Sequence, residues 1–143
     1  MKKRKKLKFG EKKVFYLPIE PYAQELLVVC NGAFEDAYAF FKKQKTRNSE
    51  ETIQHIDKNR ERYFEKFDNK KIMRLLTELP CGYVMFISHR DSWIDTVGGI
   101  SHECLHLTHY ILRRAGLELS SESEEAFTYL QQITLEKILK EIY

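Results

Sequence analysis

Gly99-Ile100-Ser101-His102-Glu103-Cys104-Leu105-His106-Leu107 sets two histidines four residues apart, with a glutamate directly after the first. Residues at i and i+4 lie one turn above each other on one face of a helix. This HExxH arrangement puts the His102 and His106 imidazoles within reach of a single metal ion, with Glu103 beside the ion and not on it. Zinc takes neutral imidazole nitrogens at about 2.0–2.1 Å, and a catalytic zinc leaves one position open for water. Glu103 is then placed to take a proton from that water as general base.

The flanking residues agree with a helix. At about 100° per residue, Ile100, Cys104, Leu107 and Ile111 form one apolar stripe. His102, His106 and His109 form a second stripe on roughly the opposite side. Arg113 and Arg114 suit the negative end of the helix dipole, and Gly116 suits a left-handed C′ position. The pattern predicts a helix over 95–115, with Gly98 and Gly99 weakening its first turns.

Two imidazoles do not complete a zinc site. The chain has five histidines, and none follows His109. The remaining donors are His109 itself and the carboxylates of Ser120-Ser121-Glu122-Ser123-Glu124-Glu125-Ala126-Phe127. That run reads as a helix start, with Ser121 and Glu124 at capping-box spacing. A helix over 122–143 follows, carrying Ala126, Leu130 and Ile133 on one face.

The HExxH helix followed by this acidic helix resembles the gluzincin branch of the zincin metallopeptidases. The segment HECLHLTHYILRRAGLELSSESEEAFTYL, 102–130, is similar to small zincin-like proteins of phages and prophages. The resemblance implies a minimal zincin-like fold and zinc-dependent hydrolysis of a peptide or protein substrate. It implies Glu125, nineteen residues after His106 and directly before Ala126, as third ligand, with Glu124 and His109 as the alternatives. Metzincins are excluded, because their third histidine would fall on Leu112. His109, Tyr110 and Tyr129 are the candidate donors to an oxyanion. His109 is an imidazole beyond the pattern, and no Asp follows Glu125 at the spacing where the larger gluzincins place one to orient a zinc ligand.

The 143 residues, 43% hydrophobic, suit one domain with a modest core. No apolar run approaches ~20 residues, so no membrane span is expected. Three cysteines form no paired framework, and the basic N-terminus has no apolar signal core; together they point to a reducing, cytoplasmic setting, the host cytoplasm or a virion if the chain is phage-encoded. Cys104 falls on the apolar stripe and reads as packing. Net charge is +3, but Met1–Lys13 alone carries eight Lys/Arg and one Glu. This segment reads as a disordered basic tail preceding a single domain over 14–143, and as a tether to nucleic acid or another acidic partner. Beyond Phe9 it has no interleaved aromatics for base stacking.

In chain order, 14–17 is a short strand and 25–30 a near-continuous apolar strand of inner type. Asn31-Gly32 marks a turn, and 34–45 a helix with Phe34, Ala37, Tyr38 and Phe41 on its core face. A second helix over 49–67 is capped by Ser49 and broken at Asp68-Asn69; His55 lies beside its solvated face. The stretch 71–79 reads equally as helix or strand. After a turn at Pro80-Cys81-Gly82, Tyr83–Ser88 is a strand, and its place before the HExxH helix makes it the candidate edge for pairing with an extended substrate. The loop His89-Arg90-Asp91-Ser92-Trp93 leads to the site, with Trp93 as its anchor.

The expected class is therefore α+β, a small mixed or antiparallel sheet packed on helices. Two other readings compete with the metallopeptidase: a non-catalytic zinc-binding phage structural or regulatory protein, and a nucleic-acid-binding module that uses the tail.

Overall fold

A computed structural model describes residues 6–22, 24–44, 47–65, 74–80, 82–88 and 92–143. The chain is α+β, built on a four-stranded mixed sheet. Strands β1 (Lys13–Ile19) and β2 (Gln24–Cys30) form an antiparallel hairpin. Helices α1 (Phe34–Lys43) and α2 (Arg47–Lys58) and a π-helical turn (Glu61–Glu65) follow. The chain then enters β3 (Arg74–Leu79) at the far edge and returns along β4 (Gly82–Ile87), antiparallel to β3 and parallel to β2. The sheet order is β1-β2-β4-β3. Two long helices, α3 (Trp93–Arg114) and α4 (Glu124–Ile142), complete the chain.

Strand alternation explains why helices cover both faces of this sheet. Successive side chains point to opposite faces. Leu26, Val28 and Cys30 of β2, with Tyr83, Met85 and Ile87 of β4, pack against Ile100, Cys104, Leu107 and Ile111 of α3 and against α4. Leu27 and Val29, with Val84 and Phe86, pack against Phe34, Ala37 and Phe41 of α1 and against Ile56 and Tyr63. Strands buried on both sides need near-continuous apolar runs. The two inner strands, LLVVC and YVMFI, supply them.

Two glycines are required by close approach. Gly82 has φ +138°, and a Cβ there would lie 2.4 Å from the Glu25 carbonyl oxygen, where β4 enters beside β2. At Gly32 a Cβ would lie 2.5 Å from Val29 Cγ1 and 2.7 Å from Asp36 Oδ2. That Asp36 carboxylate accepts the Ala33 N–H at 2.7 Å and fixes the start of α1.

Several expectations need correction. The candidate substrate-pairing strand, β4, is interior; the edges of the sheet are β1 and β3. The ambiguous stretch 71–79 is a strand from Arg74, and 71–73 lie outside the described residues. Ser49 does not cap α2 but lies buried inside it, because the helix begins at Arg47. The tail was expected to run to Lys13, yet Lys13 opens β1 and Leu7 is buried in the core beneath α4. The Leu7 N–H donates to the Ile142 carbonyl at 2.9 Å, and Lys13 Nζ donates to the Glu141 carbonyl at 2.6 Å. Residues 1–5, the helix break at 68–69, Cys81 of the expected turn, and His89, Arg90 and Asp91 of the site loop lie outside the described residues. No described helix is long and apolar enough to cross a membrane.

Candidate metal centre

Helix α3 begins two residues before the expected start, because Ser92 caps it. Ser92 Oγ accepts the Asp95 N–H at 3.1 Å and donates to Asp95 Oδ2 at 2.9 Å. The helix ends at the expected glycine. Gly116 has φ +81°; its N–H donates to the Arg113 carbonyl and the Leu117 N–H to the Leu112 carbonyl, the paired bonds of a Schellman motif. The apolar stripe is buried against the sheet as expected, and Cys104 is fully buried within it.

His102 and His106 stand on the exposed side of α3. Their Nε2 atoms are 3.1 Å apart, with the rings inclined at 72°. A tetrahedral ion bonded to two imidazole nitrogens holds them about 3.3 Å apart at the usual zinc–nitrogen length. The 3.1 Å contact is a hydrogen bond between the two rings, and the same spacing is compatible with two donors to one ion. Glu103 occupies the next sector of the helix and is 6% exposed. Burial and the neighbouring Glu103 charge, in that order, push the Cys104 thiol up to about 12.

Near the C-terminal end of α3, the chain packs on the β3 edge. Arg114 forms an ion pair with Glu78 of β3 and lies over the Tyr83 ring. Tyr110 is stacked on Tyr83, with ring centroids 6.2 Å apart. The Tyr83 hydroxyl is buried with no hydrogen-bond partner among the described residues. Burial and the adjacent Tyr110, in that order, raise its pKa. Glu78 did not stand out in the sequence and Arg114 stood out only as a helix-dipole residue, because their pairing depends on β3 lying beside α3.

The other candidate residues are dispersed. His109 is half-buried, and its ring meets Phe127 of α4 at 5.0 Å, within the contact between the helices. Tyr129 is exposed and lines a groove with Leu17, Ile19 and Pro21 of the β1–β2 hairpin, on the side of α4 away from α3. The expected capping box at the start of α4 is not formed. Ser123 occupies the N-cap without a side-chain cap bond, and its hydroxyl instead donates to the Glu118 carbonyl. Ser120 N–H donates to Ser123 Oγ at 2.9 Å, so the serines tie the loop together and Glu124 is not used as a box partner.

Gln131 Nε2 donates to the Ser101 carbonyl at 3.3 Å, which fixes the face that α4 presents to α3. Glu124 is seven residues from Gln131, about 20° away around the helix; Glu125 is six residues away, about 120° off. Glu124 thus shares the α3-facing stripe with Phe127 and Gln131. Both carboxylates are exposed. Among the described residues, no three His, Cys, Asp or Glu side chains are gathered as a metal-binding group.

Comparison with protein-family models, with curated proteins and with solved structures found no match to this chain.

Proposed function

We propose that the chain is a zinc-dependent peptidase, in which His102 and His106 hold the metal and Glu103 is the general base. The observation that carries this reading is the 3.1 Å convergence of the two Nε2 atoms on the open side of α3, beside the buried Glu103. Zinc at this position would lower the pKa of water to near 7 and polarise the scissile carbonyl. Glu103 accepts the proton from the attacking water and delivers it to the leaving amine. Its burial limits the positions open to the carboxylate, which favours proton transfer in a fixed geometry.

The leading candidates for the third donor are in the first turn of α4, with His109 as the alternative if neither carboxylate there binds. The spacing of the resemblance favours Glu125, and the orientation of α4 favours Glu124. For an extended polypeptide substrate, β3 replaces β4 as the pairing strand, since β3 lies at the sheet edge and is tied to α3 through Glu78 and Arg114.

The deciding experiment is Glu103→Gln, which keeps shape and removes the base. Zinc content should stay at about one equivalent while cleavage of an unstructured polypeptide falls by roughly 10²–10⁴-fold. Wild-type protein that binds zinc and cleaves nothing across a broad peptide library would replace the peptidase by the structural or regulatory reading. Loss of zinc in Glu103→Gln would make Glu103 a ligand and refute its role as base.

A further inference from the structure

We propose that the groove formed by the N-terminal segment and the first turns of α3 binds single-stranded nucleic acid. The groove has a volume of about 660 Å³, and Lys6, Lys8, Phe9, Trp93, Val97 and Tyr143 line it. Three aromatic side chains distant in sequence meet here: Phe9 is 55% exposed, Trp93 61% and Tyr143 37%. Trp93, expected to anchor a loop whose residues 89–91 lie outside the described residues, is exposed at the start of the helix. The N-terminal segment is held in place by Leu7, buried in the core and bonded to Ile142.

Charge and ring chemistry identify the occupant. Of the eight cations in the first thirteen residues, Lys12 and Lys13 are paired with Asp36 and Glu141. Lys6 and Lys8 line the groove itself. Sequence-independent recognition of a single strand needs these two elements together: cations that follow the phosphates and aromatic faces on which bases stack. A concave surface receives a base between its rings, whereas a bilayer meets a protein as a plane; the groove therefore favours the strand over a membrane. The pattern was invisible in the sequence, because Phe9, Trp93 and Tyr143 are brought together only by the fold. Trp93 precedes His102 by nine residues, about 14 Å along the helix axis, so the surface does not depend on the metal reading.

The chain has a single tryptophan, which makes Trp93 its own reporter. Full-length protein is titrated with oligothymidine of about 16 nucleotides, the upper end of usual site sizes. Trp93 emission should be quenched at low salt. The affinity should fall with a log–log salt slope of about −1.4, as phosphate contacts to Lys6 and Lys8 require. By anisotropy of labelled oligonucleotide, Trp93→Ala should weaken binding about 5- to 150-fold, and Phe9→Ala by a similar factor; Trp93→Phe, which keeps a ring, should restore most of it. Melting curves identify any variant that fails to fold, and Trp93→Phe then carries the comparison. Chelator treatment should leave the affinity unchanged, so this proposal and the peptidase reading fail separately. Absence of any oligonucleotide response at low salt overturns the proposal. So does equal binding of a duplex by wild type and Trp93→Ala, which would reduce the surface to charge alone. A blue shift of Trp93 on anionic phosphatidylglycerol vesicles, without a response to oligothymidine, overturns it in favour of a bilayer.

Discussion

Zinc should raise the melting temperature of the wild-type chain, and His102→Ala or His106→Ala should each remove that rise while leaving the metal-free protein almost unchanged. Both imidazoles are exposed on the outer side of α3, so truncating either one removes little packing. Surface substitutions of this kind stay within about ±0.5 kcal/mol. An ion bound by the folded state alone stabilises by RT ln(1 + [L]/Kd), about 2.7 kcal/mol at a hundred times Kd. For a domain near this size, each kcal/mol shifts the melting temperature by about 2–4 °C, so the rise should be about 5–11 °C. Differential scanning fluorimetry with zinc and with chelator measures both arms. The 3.1 Å separation of the Nε2 atoms makes the two variants equivalent in outcome, because neither imidazole alone defines the site. A zinc-dependent rise that survives in both variants would refute the reasoning, since the metal would then lie elsewhere. A fall of several degrees in the metal-free variants would show that the histidines serve the fold and not a ligand.

Glu124→Gln and Glu125→Gln separate the two candidate third ligands by zinc titration: the true ligand should lose one to two orders of magnitude in affinity, about 1.4–2.8 kcal/mol, and the other almost nothing. Leu7→Ala should destabilise by about 2 kcal/mol, the low end for a buried leucine at the margin of a core, and a chemical denaturation curve identical to wild type would place the segment outside the fold. Cys30 and Cys104, both raised to about 12 chiefly by burial, should resist alkylation at pH 8 in a Cys81→Ser background and react fully in denaturant. The same shifts carry a sign for stability. A thiol with a raised folded pKa contributes fully below its ordinary value of 9.0, and that contribution is lost as pH rises from there toward about 12; alkaline melting curves should decline over that window.

The parts of the fold legible in the sequence are those whose signal is local. Leu26–Cys30 and Tyr83–Ile87 are unbroken apolar runs, and such runs are strands only where helices cover both faces. Asn31-Gly32 and Gly116 punctuate the chain because a side chain would clash at Gly32 and because φ is positive at Asn31 and Gly116. Pairing order is not local. Nothing in Tyr83–Ile87 distinguishes an inner strand with β3 outside it from an edge strand, so a strand that lies inside the sheet was read as a candidate edge. The fate of the basic segment was hidden for the same reason. Lysine dominates its composition, and one leucine, Leu7, reaches the core only because α4 ends beside it.

The candidate metal centre divides along the same line. His102 and His106 share a face by helical periodicity alone, and their convergence follows from a four-residue spacing that any regular helix would honour. The burial of Glu103 was readable too, since it flanks the apolar stripe of Ile100, Cys104 and Leu107. The donor from α4 is a different problem. Counting residues from His106 says how far along the chain a carboxylate lies, and nothing about the rotation of the helix that carries it. That rotation is set by Phe127 against His109 and by Gln131 on the Ser101 carbonyl, two contacts made across the helix pair. A single residue of register turns a helix by 100°, enough to exchange Glu124 for Glu125 on the side facing α3. The capping box expected of Ser121 and Glu124 is not formed; Ser123 is the N-cap, and it bonds Ser120 and the Glu118 carbonyl instead. Glu124, the alternative to Glu125, thus lies on the same stripe of α4 as Phe127 and Gln131, and the paired glutamine variants are the measurement that decides between spacing and rotation.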